Sequence, residues 1–258
     1  MNPRIRSLFS QKSSRILSVY FTAGYPQKDA TMPILNALQA GGVDLVEIGI
    51  PFSDPMADGP VIQHSSQLAL QNGMSLKVLF DQLESMRPTI HIPVLLMGYV
   101  NVIMQYGLEA FCTSCRRVGI DGVILPDLPL DEYLQVYKPV MDAYGLSMVL
   151  LITPETSDER IRLIDAHTDS FIYMVSSASI TGAQSSFGVG KVAYFKRINA
   201  MNLKNPRLVG FGISNKATVE AAWEHASGAI IGSRFIECLR TTDTPEAAVE
   251  CLLEELKR

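Results

Sequence analysis

The chain has little of what would tie it to nucleic acid or to a membrane. No Lys/Arg cluster longer than a pair occurs in its 258 residues, and the formal net charge is -4 with a pI near 5.6. The basic footprint of a nucleic-acid-binding protein is therefore missing. No apolar run approaches the roughly 20 residues of a membrane span. The polar, basic opening MNPRIRSLFSQKSS has no apolar stretch of signal-peptide length, so a cytoplasmic location is expected. Cysteine is scarce: of Cys112, Cys115, Cys238 and Cys251, only the first two have C-x-x-C spacing, and no second Cys or His pair follows them. Free thiols on a helix face fit that pattern better than half of a zinc site. His64, His91, His167 and His225 are scattered without ligand spacing, so no metal site is expected. FTAGYP, after the first strand-like run, is not the G-x-G-x-x-G of a dinucleotide fold.

What is present is apolar and periodic. Hydrophobic residues make up 47% and charged residues 19%, enough for a sizeable core and too little charge for disorder. Apolar runs of strand length recur at 16–23, 44–50, 93–99, 122–127, 147–153, 171–176, 207–212 and 228–233. Continuous rather than alternating apolar strands indicate a parallel sheet covered on both sides. Between them lie helical patterns such as TMPILNALQAGG and EYLQVYKPVMDAYG, both ending in Gly, and TPEAAVECLLEELKR closes the chain. Eight such units with no linker predict one α/β domain over residues 1–258, a closed (β/α)8 TIM barrel. RIRSLFSQ predicts an extra N-terminal helix under its floor. An open doubly wound sheet is the alternative.

Two connections are long, the one opening with PFSDPMADGP and the one reading SASITGAQSSFGVGK. Both follow strand C-termini, the face where such barrels carry their chemistry. In VEIGIPFSDPMADGP, Glu47 interrupts an apolar strand. Alternation puts Leu45, Glu47 and Gly49 on one face and Val46 and Ile48 on the other, so Glu47 points into the barrel if its neighbours pack on helices. A carboxyl group there is poorly solvated, its pKa should rise, and it can carry a proton near neutrality. The competing reading is a Glu paired with a buried base, but only Arg207 among the strand segments is basic, and it lies at the opposite end. Asp58, before Gly59 and Pro60, reads alone as turn or cap chemistry with a helix starting at Val61. Together with Glu47 it makes a pair with separated pKa values, one protonated and one ionised. Asp54, between Ser53 and Pro55, reads equally as turn chemistry. Gly212 in VGFGIS, and Gly232 with Ser233 in IIGSR, place glycines where strands meet helices. There they either end strands or let backbone N–H groups cradle a phosphate, with Thr181 and Gly182 able to close over it.

The run from Val46 to Gly59 resembles the signature of the tryptophan synthase alpha subunit family. The resemblance extends over nearly the whole chain, through YFTAGYP, LMGYVN, PDLP, ITGA, GFGIS and IGS. It implies a lyase that cleaves indole-3-glycerol phosphate into indole and glyceraldehyde 3-phosphate by a retro-aldol step, with Glu47 as acid and base and Asp58 holding the indole N–H. By the same resemblance Tyr173 lies near the acid and Asp127 is a supporting acid. Tyr20, Tyr99 and Phe211 line or adjoin an indole pocket, and Thr181 with Gly182 belongs to a closing loop. No cofactor is implied in this subunit. The implied partner is the beta subunit, a pyridoxal-phosphate enzyme, in an alpha2-beta2 assembly, with Ser53, Asp54, Pro55, Asn101 and the loop to Gly107 at the interface. Ser179 stands where many relatives have Gly, which bears on the opening and closing of the loop. A catalytically silent barrel that only activates the beta subunit, or another phosphate-binding barrel enzyme, is the competing reading.

Overall fold

β-branched and aliphatic runs with no polar alternation build strands that must be covered on both faces, and helices supply that cover. The computed structural model, which describes residues 2–176, 189–210 and 212–257, contains eight such strands. They are β1 (Ile16–Thr22), β2 (Leu45–Gly49), β3 (Val94–Met97), β4 (Gly122–Ile124), β5 (Ser147–Ile152), β6 (Ile172–Val175), β7 (Arg207–Gly210) and β8 (Gly228–Ile231). All pair in parallel in sequence order and β1 also pairs with β8, so the sheet closes into the barrel expected and the open sheet is excluded. Among the described residues no helix is long and apolar enough to cross a membrane.

Two apolar layers follow from the alternation. Val46 and Ile48 pack outward with Leu35 and Phe80 of the surrounding helices. Tyr20, Leu45, Leu95, Ile124, Val149 and Leu208 fill the interior. Under the floor runs the predicted N-terminal helix, Pro3–Gln11, with Pro at its first turn and the Asn2 side chain accepting from Arg4 N–H. Its Ile5 joins the interior cluster, and Phe9 packs 5.9 Å from Phe171 between ring centroids. Asp121, fully buried, ties this end together: it receives Arg4 Nη1 at 2.9 Å, Arg87 Nη2 at 2.6 Å and the Val94 N–H at 2.9 Å.

Local details differ from the sequence expectation in three places. The helix after Asp58 begins at Pro60 rather than Val61, with Gly59 as its extended N-cap. The segment expected as a loop from Asn101 to Gly107 is a helix, Val100–Tyr106, ended by Gly107 at φ 90°. The helical pattern before Gly145 contains a π-helical stretch, Tyr133–Tyr137, just ahead of Pro139. Pro139 has no N–H to donate one turn back, and Lys138 N–H reaches Tyr133 O across the widened turn instead.

Candidate active site

Glu47 is central in β2, paired in register with Tyr20 of β1 and Leu95 of β3. It is fully buried inside the barrel as the alternation requires. Its Oε1 accepts from Ser18 Oγ at 2.8 Å, and Oε2 has no hydrogen-bond partner. Burial raises its pKa from 4.5 to about 8, against which the Ser18 hydrogen bond acts only weakly. An unsatisfied buried carboxyl oxygen is costly, and here it belongs to a group lining a cleft. The expected competitor, a paired buried base, is absent among the described residues: no salt bridge includes Glu47, and Arg207 sits at the start of β7.

The loop between β2 and the helix at Pro60 brings Asp58 to the same cleft. Asp58 N–H donates to Pro55 O at 3.0 Å, and Ile50 N–H to Met97 O at 2.7 Å, which fix the loop's two ends. Asp58 is 7% exposed and receives Tyr99 Oη at 2.8 Å. Its pKa rises from 3.8 to about 6 because it is buried, and the Tyr99 hydrogen bond opposes the rise. The two carboxyl groups therefore straddle neutrality, with Glu47 protonated and Asp58 ionised at pH 7.

Tyr20 and Tyr173 complete the lining. Burial and the nearby carboxylates, Asp58 foremost for Tyr20 and Glu47 for Tyr173, push both phenols well above 10, so they stay neutral donors. Each ring needs a glycine on the next strand: a Cβ on Gly49 would overlap the Tyr20 hydroxyl, and one on Gly210 would overlap that of Tyr173. Pattern reading missed both glycines, since a strand glycine says nothing of which ring crosses it.

The same cleft is lined by Gly212, at φ +76°, and by Gly232, the N-cap of the helix Ser233–Thr241, whose Cα faces Tyr20 and Ile62. Ser233, Ile213 and Ser214 line the cleft beside them. About 940 Å³ of free space, open solvent at the mouth included, separates the walls. Gly232 and Ser233 bring backbone amides at a helix start into this wall, suited to an anion. Two carboxyl groups share the cleft with apolar side chains such as Met97, Ile62 and Ile230. No group of three or more metal-ligating side chains occurs among the described residues.

Of the residues singled out from sequence, Tyr20, Glu47, Asp58, Tyr173, Gly212, Gly232 and Ser233 meet in this one cleft. Tyr99 stands behind Asp58 rather than in the wall, stacked on Phe52 at 5.2 Å between centroids. Asp127 lies outside it, on the surface, where its carboxylate accepts from the Val100 N–H at 3.0 and 3.1 Å and so caps the helix Val100–Tyr106. Ser53, Asp54 and Asn101 are exposed, whereas Pro55 is buried and presents no surface of its own. Ser179, Thr181, Gly182 and Phe211 lie outside the described residues.

Comparison with known proteins gives a consistent result. Residues 7–258 match the family described as tryptophan synthase alpha chain. The chain is similar to the tryptophan synthase alpha chain of Parabacteroides distasonis, 63% identical over 99% of both chains. It is likewise similar to that of Bacteroides thetaiotaomicron, 57% identical over 98% of this chain and 99% of the relative. Among solved structures, the tryptophan synthase subunit alpha of Legionella pneumophila superposes with a TM-score of 0.86 at 34% identity, covering 100% of this chain and 97% of that one. A chain of Mycobacterium tuberculosis tryptophan synthase gives a TM-score of 0.88 at 27% identity, covering 99% and 97%.

Proposed function

The chain belongs to the tryptophan synthase alpha chain family, and from that premise we propose that Glu47 and Asp58 are the two groups that drive its reaction. The family's reaction is the lyase half of tryptophan synthase in L-tryptophan biosynthesis. Indole-3-glycerol phosphate is cleaved to indole and glyceraldehyde 3-phosphate. Its carbon–carbon bond breaks only after indole C3 is protonated, which turns the ring into an electron sink. The adjoining glycerol hydroxyl must then lose its proton as the aldehyde forms. Glu47, protonated at neutrality, gives its proton to C3 and as a carboxylate takes the hydroxyl proton, ending as it began. Asp58, ionised, accepts from the indole N–H and stabilises the positive charge that grows on the ring, an interaction stronger in the transition state than in the ground state.

The assignment rests on one observation: two buried carboxyl groups share a cleft wall and are pushed to about 8 and about 6, on opposite sides of pH 7. A scaffold needs neither group, and both are costly to bury. Tyr20 and Tyr173 neighbour the acid in the apolar wall, and Gly212, Gly232 and Ser233 hold the phosphate. No cofactor is required in this subunit, because the protonated indole ring is itself the electron sink.

The partner of an alpha chain is the tryptophan synthase beta subunit, which carries pyridoxal phosphate; we infer an alpha2-beta2 assembly in the cytoplasm, with residues 1–258 acting as one barrel domain. Ser53, Asp54 and Asn101 form the contact face, with Pro55 stiffening the loop from within. Met56, next to Pro55, and Met104, one turn after Asn101, are 81% and 68% exposed, unusual for apolar side chains and suited to burial against a partner.

The test is indole release from indole-3-glycerol phosphate by wild type, Glu47→Gln and Asp58→Asn, each with and without a beta subunit. Turnover by wild type with a loss of roughly two or more orders of magnitude in each variant is expected. A wild type that is inert yet still stimulates the beta subunit would leave the barrel a scaffold.

A further inference from the structure

Lys191 plays no part in the carboxylate chemistry, yet its ammonium group approaches Gly212, one of the glycines of the cleft wall. It sits in the first turn of the helix Val189–Ala200. Its Nζ comes within 3.6 Å of the point a Cβ would occupy on Gly212, and the Oγ of fully buried Ser176 lies 3.9 Å from the same point. Side chains from the end of β6 and from this helix thus converge on the space that the glycine leaves open. We propose that Lys191 is a further substrate-binding residue, its ammonium group pairing with the phosphate held against Gly212, Gly232 and Ser233.

The reason is charge. A phosphate monoester carries about -1.5 to -2 charges near neutrality, while a helix N-terminus offers only about half a positive charge. The described cleft wall has Arg234 as its one cationic side chain, and that guanidinium is already clasped by Glu237 and Glu255. Lys191 adds a second cationic side chain beside the glycines of the cradle. Partial burial lowers its pKa, and an anion beside it restores the solvation it has lost.

This rests on reading the cleft as the indole-3-glycerol phosphate site, and two assays separate the two ideas. Steady-state kinetics of Lys191→Met and Lys191→Arg should show KM raised tenfold or more in the first with kcat within about threefold of wild type, and KM near wild type in the second. Competition by inorganic phosphate should weaken by a similar factor in Lys191→Met. If Lys191→Met melts early, Lys191→Gln takes its place in both assays. An unchanged KM and phosphate affinity in a folded variant, or a loss in kcat alone, overturns the proposal. A wild type that binds phosphate through Lys191 but releases no indole overturns the lyase reading instead.

A second observation stands independently. Cys238 and Cys251 lie on the successive helices Ser233–Thr241 and Pro245–Lys257 with their Sγ atoms 3.0 Å apart. Both are free thiols; Cys238 is fully buried and Cys251 half-buried. We infer that they form a reversible redox site, closed by a low-molecular-weight disulfide. The more accessible Cys251 thiolate attacks the reagent and releases one thiol, and Cys238 then displaces the second. Two protein thiols become one disulfide, and the reagent disulfide becomes two thiols. Burial pushes the Cys238 thiol up, so Cys251 is the thiol that meets the reagent and Cys238, 3.0 Å away, resolves the mixed disulfide.

Oxidised glutathione on the whole enzyme should remove two hydrogen masses and yield one cross-linked peptide pair containing Cys238 and Cys251, reversed by dithiothreitol. Cys251→Ser should abolish it. A stable mixed disulfide on Cys251, or no change of mass, contradicts the inference.

Discussion

Tyr99 Oη donates to Asp58 Oδ2 at 2.8 Å while accepting from the Ala57 N–H at 3.0 Å. One hydroxyl just beyond β3 therefore holds the loop after β2 and lowers the pKa of its carboxylate. Tyr99→Phe removes that hydrogen bond and lets burial raise Asp58 further above about 6. The ionised fraction at pH 7 falls. The acid limb of the kcat/KM profile for indole release should move to higher pH, with activity regained on raising the pH; an unmoved limb would show that Asp58 does not govern it.

Glu47 also links stability to pH. Below 4.5 both the folded and the unfolded chain hold its proton. Between 4.5 and about 8 only the folded chain does, so this group's contribution declines as pH rises through that window. Glu47→Gln abolishes the effect. Its stability relative to wild type should increase from pH 5 to pH 8 by on the order of 3 kcal/mol, read from urea unfolding at each pH. A difference independent of pH would mean that Glu47 ionises normally.

The Tyr20–Gly49 contact predicts a packing cost. Gly49→Ala puts a methyl group onto the Tyr20 hydroxyl, and overpacking of that kind costs about 1–3 kcal/mol. Gly190→Ala, where nothing stands within 4 Å, should be neutral or slightly stabilising in its helix. Equal effects of the two substitutions on the urea midpoint would rule out the contact as the cause.

On the partner face proposed above, Met104 is 68% exposed on the helix Val100–Tyr106, away from the cleft lining. Met104→Glu should weaken beta-subunit binding about tenfold or more while indole release by the isolated chain stays unchanged. Unaltered binding in calorimetry would remove this helix from the interface.

Much of this was legible in the residues. Continuous apolar runs mark all eight strands, because both faces of each are buried, and strict alternation aims Glu47 inward. Other features depend on which strand lies beside which. Tyr99 meets Asp58 across a separation of 41 residues, and Gly210 matters because Tyr173 stands on the next strand. Asp127, a supporting acid by resemblance, accepts from the Val100 N–H, a partner that its own motif does not reveal. The helix at Val100 hid in a segment too short for periodicity to show.

The most direct measurement is kcat/KM for indole release from pH 5 to 9, for wild type and Glu47→Gln side by side, since this parameter reports the groups of the free enzyme. Wild type should give a bell, falling below about 6 as Asp58 takes a proton and above about 8 as Glu47 loses one. Glu47→Gln should be slower by two or more orders of magnitude and should lack the alkaline limb. A variant that keeps that limb, or keeps most of its rate, would contradict the role given to Glu47.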